Sequence, residues 1–238
     1  MGVWVVTGGC SGIGKEVASV AFEKGHKVAA LDMTLNSFHP EILFLKCDVA
    51  DYSSFEDALN QVARSFGPID VLVNNAGINE SRSFHNSSAE SWRRVIDVNL
   101  MGVIYGTALL LSTTKQPVSI INVSSMSGLV PLAVSPVYSA SKHGVVGFSR
   151  SIALQVRTVH RVNCVCPSFV DTPLVQEGKQ NNQEFSRLVQ RIGKGKLIDP
   201  RIVAACIVGL AQDESKNGQI MRITFEKGID FHPLKSAM

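Results

Sequence analysis

Short apolar runs alternate along the chain with longer stretches whose apolar residues recur every three to four positions, the two periods of strand and helix. Val3 to Val6 is a β-branched run that stops at a glycine-rich turn, and Lys15 to Phe22 follows with helical spacing. Gly25 closes that helix, and Lys27 to Leu31 predicts the second strand. The linker from Thr34 to Glu41 is too short and too rich in turn residues for a long helix. The pattern then predicts a strand at Ile42 to Lys46, a helix over Tyr52 to Phe66, a strand at Ile69 to Val73 and one long helix from Ala89 to Leu111. A strand at Val118 to Val123, a helix from Val137 to Val156, a strand at Val162 to Cys166, a helix from Arg201 to Gln212 and a strand at Gln219 to Thr224 complete the series.

Strands that alternate with helices need crossover connections, and a run of them builds a parallel sheet covered on both faces. The expected fold class is therefore α/β, a single doubly wound parallel sheet of Rossmann type, with residues 1–238 forming one domain. Such sheets bind ligands beyond the carboxyl ends of their strands. Val170 to Leu197 breaks the rhythm: it follows a strand end and carries Gly178, Asn181, Asn182, Gly193 and Gly195. A lid over the site, at 170–197, is the expectation for it, with an ordinary surface loop as the alternative.

Composition narrows the function classes. At 45% hydrophobic and 18% charged residues the chain fits a globular enzyme, and no uninterrupted apolar run reaches the roughly eighteen residues of a membrane span. The start, Met1-Gly2-Val3-Trp4, enters a strand without a basic, cleavable leader, and a buried strand leaves no free arm for myristoylation at Gly2. A net charge of +3 with scattered basic residues speaks against a nucleic-acid partner. Cys10, Cys47, Cys164, Cys166 and Cys206 are odd in number and lack metal-ligand spacing, so the expectation is no metal site, reduced thiols and a cytoplasmic location.

Thr7-Gly8-Gly9-Cys10-Ser11-Gly12-Ile13-Gly14 lies between the first strand and the first helix, where backbone amides and the helix dipole face a pyrophosphate. Asp32 ends the second strand, followed by Met33; its carboxylate suits ribose hydroxyls and repels a 2′-phosphate by roughly 4 kcal/mol at ~4 Å for an effective dielectric of about 20. With neutral Ser11 and Met33 beside it, the cofactor expected is NAD. Tyr138 and Lys142 stand four apart on a predicted helix and share a face, so an ammonium and a positive nicotinamide ring would both favour the phenolate. Asn122-Val123-Ser124-Ser125 and Asn74-Asn75-Ala76-Gly77 end two further strands at the same rim.

In order and spacing these motifs resemble the short-chain dehydrogenase/reductase family over nearly the whole chain. Within the family, Pro136-Val137-Tyr138, Ser141 to Phe148, Cys166 to Thr172 and Asn217 to Thr224 look like segments of the NAD-linked hydroxyprostaglandin dehydrogenase type. The resemblance implies a hydride transfer between nicotinamide and a secondary alcohol or ketone. It implies Tyr138 as acid/base, Lys142 as its partner and a ribose ligand, Ser125 rather than Ser124 as donor to the substrate oxygen, and Asn99 as anchor of a proton-relay water. Cys47, Asp48 and Val49 would lie beside the adenine; Asn75, Ala76 and Gly77 near the cofactor ribose; Val170 and Thr172 beside the carboxamide. Substrate contacts would come from Ser125, Ser135 and Tyr138, with Leu129, Val130, Val134, Val137, Phe169 and Leu174 suggesting an apolar pocket.

The chain departs from the type at Ser168, where the family has glycine, at Ser135, where the subgroup has glutamine, and in two short loops, Thr113 to Val118 and Arg157 to Arg161. These departures touch substrate contacts more than chemistry. An NADPH-dependent carbonyl reductase and a non-catalytic NAD-sensing protein are the alternative functions; Asp32 opposes the first, and the Tyr138-Lys142 pair the second. The long helices from Ala89 and Val137 resemble those of the family's dimer contact, which implies a homodimer or homotetramer.

Overall fold

A computed structural model describes residues 1–80 and 84–233. Its strands are β1 (Val3–Thr7), β2 (Lys27–Asp32), β3 (Leu43–Lys46), β4 (Val71–Asn74), β5 (Ser119–Val123), β6 (Arg161–Pro167), β7 (Ile220–Thr224) and β8 (Gly228–Phe231). They form one sheet in the order β3-β2-β1-β4-β5-β6-β7-β8, parallel throughout except for β8, which runs antiparallel to β7. The order reverses between β1 and β4, which opens a crevice beyond their carboxyl ends.

Side chains of alternate sign along each strand feed the two faces. Trp4 and Val6 of β1 pack with α1 (Gly12–Glu23) and α8 (Pro200–Gln212), while Val3 and Val5 pack with α2 (Tyr52–Phe66) and its neighbours. Asp51 caps α2 by accepting the Ser54 amide at 3.1 Å, and Gly67, at φ +94°, ends it in a backbone conformation that favours glycine.

The predicted helix from Ala89 follows one continuous path to Thr113, but it is not regular. It consists of α3 (Ala89–Ile96), a wider π turn over Asp97–Met101 and α4 (Gly102–Thr113). The π turn carries the fully buried Asn99, and turns of this kind gather at functional sites. By length and composition this helix could cross a membrane, yet half of its most apolar window is buried inside the protein, with Val95, Val98, Val103, Leu109 and Leu110 in the core.

Two elements differ from the sequence pattern. Val170 to Leu197 is largely helical: α6 (Pro173–Asn181) starts on the Thr172 cap and α7 (Gln183–Gly193) on the Asn182 cap. Strand β8 was invisible to the pattern because it lies at the sheet edge with Ile229 and Phe231 exposed. It is held by the Arg222–Asp230 ion pair. Between β6 and α8 the chain returns to the sheet through a lone parallel bridge, Val170 to Ile198. The remaining helix, α5 (Pro136–Val156), packs on β5 and β6.

Gly106 lets α4 sit close to the sheet: a Cβ there would lie 2.6 Å from Asn74 Oδ1 and 2.6 Å from Phe55 Cζ. Gly106→Ala is expected to destabilise the fold by about 1–3 kcal/mol through overpacking, read as a lowered midpoint in urea unfolding.

Candidate active site

The glycine turn closes on itself so tightly that side chains have no room. A Cβ on Gly14 would meet the Gly8 carbonyl oxygen at 2.0 Å, and Gly8 and Gly12 adopt φ of +61° and +49°. Ser11, at the N-cap of α1, makes no side-chain capping bond, which leaves the helix's first amides facing outward from the turn beside Gly12, Ile13 and Gly14. Such a cradle, with a helix dipole behind it, fits a pyrophosphate.

Thr7 and Asn75 fasten the turn to β4. The Thr7 hydroxyl accepts the amides of Asn75 and Ala76, both at 3.0 Å, and the Asn75 side chain donates to the carbonyls of Thr7 at 2.9 Å and Gly8 at 3.2 Å. Asn75, expected near the ribose, thus has its amide nitrogen committed to the turn. At the end of β2 the Asp32 carboxylate accepts the amides of Cys10 at 3.0 Å and Thr34 at 3.2 Å, and Met33 is exposed beside it. Among the described residues Asp32 has no ion-pair partner.

The structure sorts the other residues expected around the nucleotide. Cys47 is buried, and burial pushes its thiol up to about 12. Asp48 forms an ion pair with Arg94 at 3.1 Å. Val49 is buried against Gly102. Val170 is buried in the bridge to Ile198, whereas Thr172 packs directly on Gly12 and so joins the β6 end to the glycine turn. A Cβ on Gly77 would lie 3.4 Å from Lys142 Nζ and 3.3 Å from Asn99 Oδ1, which places these three residues together.

The chemistry-bearing side chains meet where β5 and α5 converge. Ser125 sits near the Tyr138 phenol, donates to the Ser127 hydroxyl at 3.2 Å and accepts the Ser127 amide at 3.1 Å. Ser124 turns inward, its hydroxyl donating to the Lys142 carbonyl at 2.9 Å. Lys142 is buried; its ammonium donates to the Val123 carbonyl at 2.9 Å and lies 5.7 Å from the centre of the Tyr138 ring. Asn99 accepts the Ile78 amide at 2.8 Å and donates to the Ile78 carbonyl at 2.9 Å and the Ser141 hydroxyl at 3.1 Å.

The electrostatics differ from the sequence expectation in one respect. Burial pushes the Tyr138 phenol up to about 12, only partly countered by Ser125, so Lys142 does not by itself bring the phenol below its ordinary value. Burial also lowers Lys142, to about 8. The physical reason is shared: both groups lose hydration together, and the protein alone gives the phenolate too little compensating charge.

A cleft of about 670 Å³ opens above Ser125 and Tyr138. Val130, Val134, Phe169 and Leu174 line it as expected of an apolar pocket, joined by Leu132 from the loop before α5 and by Phe185 and Leu188 from α7. Leu129 instead packs among Val103, Val145 and Cys166, and Ser135 and Val137 lie outside the lining residues, Ser135 being buried at the N-cap of α5.

One acidic residue escaped the sequence reading. Glu80 is only 7% exposed, and its carboxylate accepts the Tyr138 amide at 3.0 Å. A polar run such as Asn79-Glu80-Ser81 reads as solvated loop. The available signal was the absence of any acidic or amide residue in the first turn of α5 to form a local capping box.

A family model described as short chain dehydrogenase matches residues 2–183. The chain belongs to that family. It is 38% identical to 15-hydroxyprostaglandin dehydrogenase [NAD(+)] of Homo sapiens over 96% of this chain and 93% of the relative. It is 34% identical to acetoacetyl-CoA reductase of Rhizobium meliloti (strain 1021) over 90% of this chain and 92% of the relative. Among solved structures, the ligand-free aldohexose dehydrogenase of Thermoplasma acidophilum superposes with a TM-score of 0.85 at 29% identity, covering 93% of this chain and 92% of that one. This short-chain dehydrogenase is therefore an oxidoreductase acting on CH–OH groups with a nicotinamide nucleotide, and among its relatives it is similar to the hydroxyprostaglandin type.

The buried ammonium generates a stability prediction. Lys142 holds its proton less tightly in the fold, at about 8, than at its ordinary 10.5, so between these values its own contribution to stability climbs with pH, against the opposite slope that the buried Cys47 thiol and Tyr138 phenol add at the alkaline end. The climb is at most about 1.4 kcal/mol per pH unit. Lys142→Met is expected to flatten it, measured as urea midpoints at pH 8, 9 and 10 beside the wild type.

Proposed function

We propose that the protein oxidises a secondary alcohol carried on an apolar, lipid-like molecule, with NAD as the hydride acceptor. The observation that carries this reading is Ser125 and Tyr138 together in a cleft whose wall includes Leu132, Val134, Phe169, Leu174, Phe185 and Leu188. Ser125 donates to the substrate oxygen, and Tyr138 takes the hydroxyl proton as the carbinol hydrogen leaves as hydride. The nicotinamide, when bound, supplies the hydride acceptor and a positive charge close to the phenol. Lys142, whose ammonium remains the major form at neutral pH, holds the ribose and adds to that charge. Asn99 anchors the proton path through the contacts of the π turn.

The preference for NAD rests on Asp32, which presents an unpaired carboxylate beside the turn and repels a 2′-phosphate. Helices α6 and α7 act as the lid: Phe185 and Val189 of α7 pack in one cluster with Leu132, Tyr138 and Phe169, so the same contacts cover the substrate and the phenol. On the cleft rim Arg187, Arg191, Lys196 and Lys227 make no ion pair among the described residues, against the acids Glu184 and Glu226. That balance favours a substrate with an anionic end, such as a hydroxylated fatty acid. The five cysteines, all free, suit a reducing, cytoplasmic setting, and the helices from Ala89 and Pro136 supply the surface for a homodimer or homotetramer.

Formation of NADH from a panel of hydroxylated fatty acids, prostaglandins and steroids tests the proposal. Tyr138→Phe is expected to lose on the order of 10²-fold or more in kcat with NAD binding retained. Turnover should be faster with NAD than with NADP; the reverse would defeat the Asp32 argument. Arg187→Ala combined with Arg191→Ala should raise KM about tenfold for the free acid and leave the methyl ester unaffected.

A further inference from the structure

Helix α5 begins without a local cap. Pro136 has no amide hydrogen to offer, Ser135 makes no side-chain capping bond, and the amides of Val137 and Tyr138 are among the donors that a helix start leaves without intrahelical partners. The Tyr138 amide is satisfied from a distant part of the chain, by the carboxylate of Glu80, fifty-eight positions upstream, at 3.0 Å. The other carboxylate oxygen, Oε1, is buried and has no hydrogen-bond partner among the described residues. A buried carboxylate with one oxygen unsatisfied is costly, and its compensation is the positive end of a 21-residue helix together with the Tyr138 amide bond.

The segment bearing Glu80 also grips the other side of the site. Two residues earlier, Ile78 exchanges both of its backbone hydrogen bonds with the side chain of Asn99, and Gly77 lies against Lys142 Nζ. Thus one short stretch, Gly77 to Glu80, touches the π turn that holds Asn99, the lysine, and the first turn of the helix that carries Tyr138.

We infer that Glu80 is a positioning residue for the reaction: by capping α5 from the β4 side it fixes the first turn of that helix, and with it the Tyr138 phenol, in register with Ser125 and Asn99. It is not among the residues lining the cleft, so it acts on catalysis through Tyr138. The inference rests on the role proposed above for Tyr138. Glu80 contributes as a hydrogen-bond acceptor, a function that a glutamine side-chain oxygen reproduces and a methionine of similar size does not.

The test compares wild type, Glu80→Met, Glu80→Gln and Tyr138→Phe, each scored for kcat and KM in NADH formation and for NADH affinity by fluorescence, the last also giving the fraction of folded sites. Glu80→Met is expected to lose on the order of 10²-fold in kcat per folded site, with KM for NAD and NADH affinity unchanged, because a small displacement of the phenol costs rate without costing nucleotide binding. Glu80→Gln should recover most of that loss. Wild-type kcat in Glu80→Met, or a Glu80→Gln as impaired as Glu80→Met, overturns the inference, as does a parallel fall in NADH affinity. Hydrogen exchange of the wild-type protein decides the matter even if Glu80→Met fails to fold: the Tyr138 amide must be protected, and free exchange there refutes the cap. A fully active Tyr138→Phe would instead remove the reading beneath it, whereas an inactive Tyr138→Phe beside a fully active Glu80→Met removes only the positioning role.

Discussion

The arrangement depends on a chain of buried side-chain amides that ties the sheet to its helices. Asn74, at the end of β4, donates to Asn122 of β5 at 2.9 Å, and Asn122 donates in turn to Ser149 of α5 at 2.9 Å. The Ser149 hydroxyl is itself returned to the α5 backbone at Val145. Polar groups at such depth are expensive unless paired, and once paired they admit few alternative registers. An apolar contact between α5 and the sheet could slide by a fraction of a turn; a directional bond between Asn122 and Ser149 holds the helix to one axial position, and Tyr138 and Lys142 travel with it.

The nucleotide side of the crevice is fixed by an analogous device one residue further on. Asn75 and Thr7 stitch the glycine turn to β4, so the two halves of the site share a neighbouring pair of asparagines, Asn74 facing the chemistry and Asn75 facing the cradle. Relative placement of phosphate cradle and phenol is thereby set within the rigid sheet and not by loops. This precision has an electrostatic cost, visible in the phenol held up at about 12 and the ammonium drawn down to about 8. Both groups lose hydration in the same place, so the charged form of each is disfavoured there.

Much of this could be read from the chain because it is local. The glycine turn, Asp32 at a strand end, and Tyr138 with Lys142 one helical turn apart are patterns within a few residues, and the alternation of strand and helix leaves few sheet topologies open. What escaped was whatever depends on partners remote in sequence. Glu80 gains its meaning from a helix start fifty-eight positions away, and Asn75, though expected near the ribose, takes its bonds from a turn sixty-seven to sixty-eight positions earlier. The π turn at Asn99 lies inside an otherwise ordinary apolar helical pattern, and β8 is an edge strand too exposed to show alternation. The helices α6 and α7 were obscured by the polar residues on their outer faces, although Phe185, Leu188 and Val189 mark the inner one.

The bridge between Val170 and Ile198 has a consequence for how α6 and α7 are held. It closes the neck of the α6–α7 excursion, bringing the outgoing and returning strands together at the rim of the sheet. Backbone bonds from Asp171 to Ile198 and from Ile198 to Phe169 seal it, each at 2.9 Å. The excursion between these points is anchored at one end by Thr172, which packs on Gly12, and along α7 by Phe185 and Val189, which pack with Tyr138. The fold thus hangs α6 and α7 from one closed neck at the sheet rim, so that the wall they give the cleft is carried by the same short bridge that finishes the sheet.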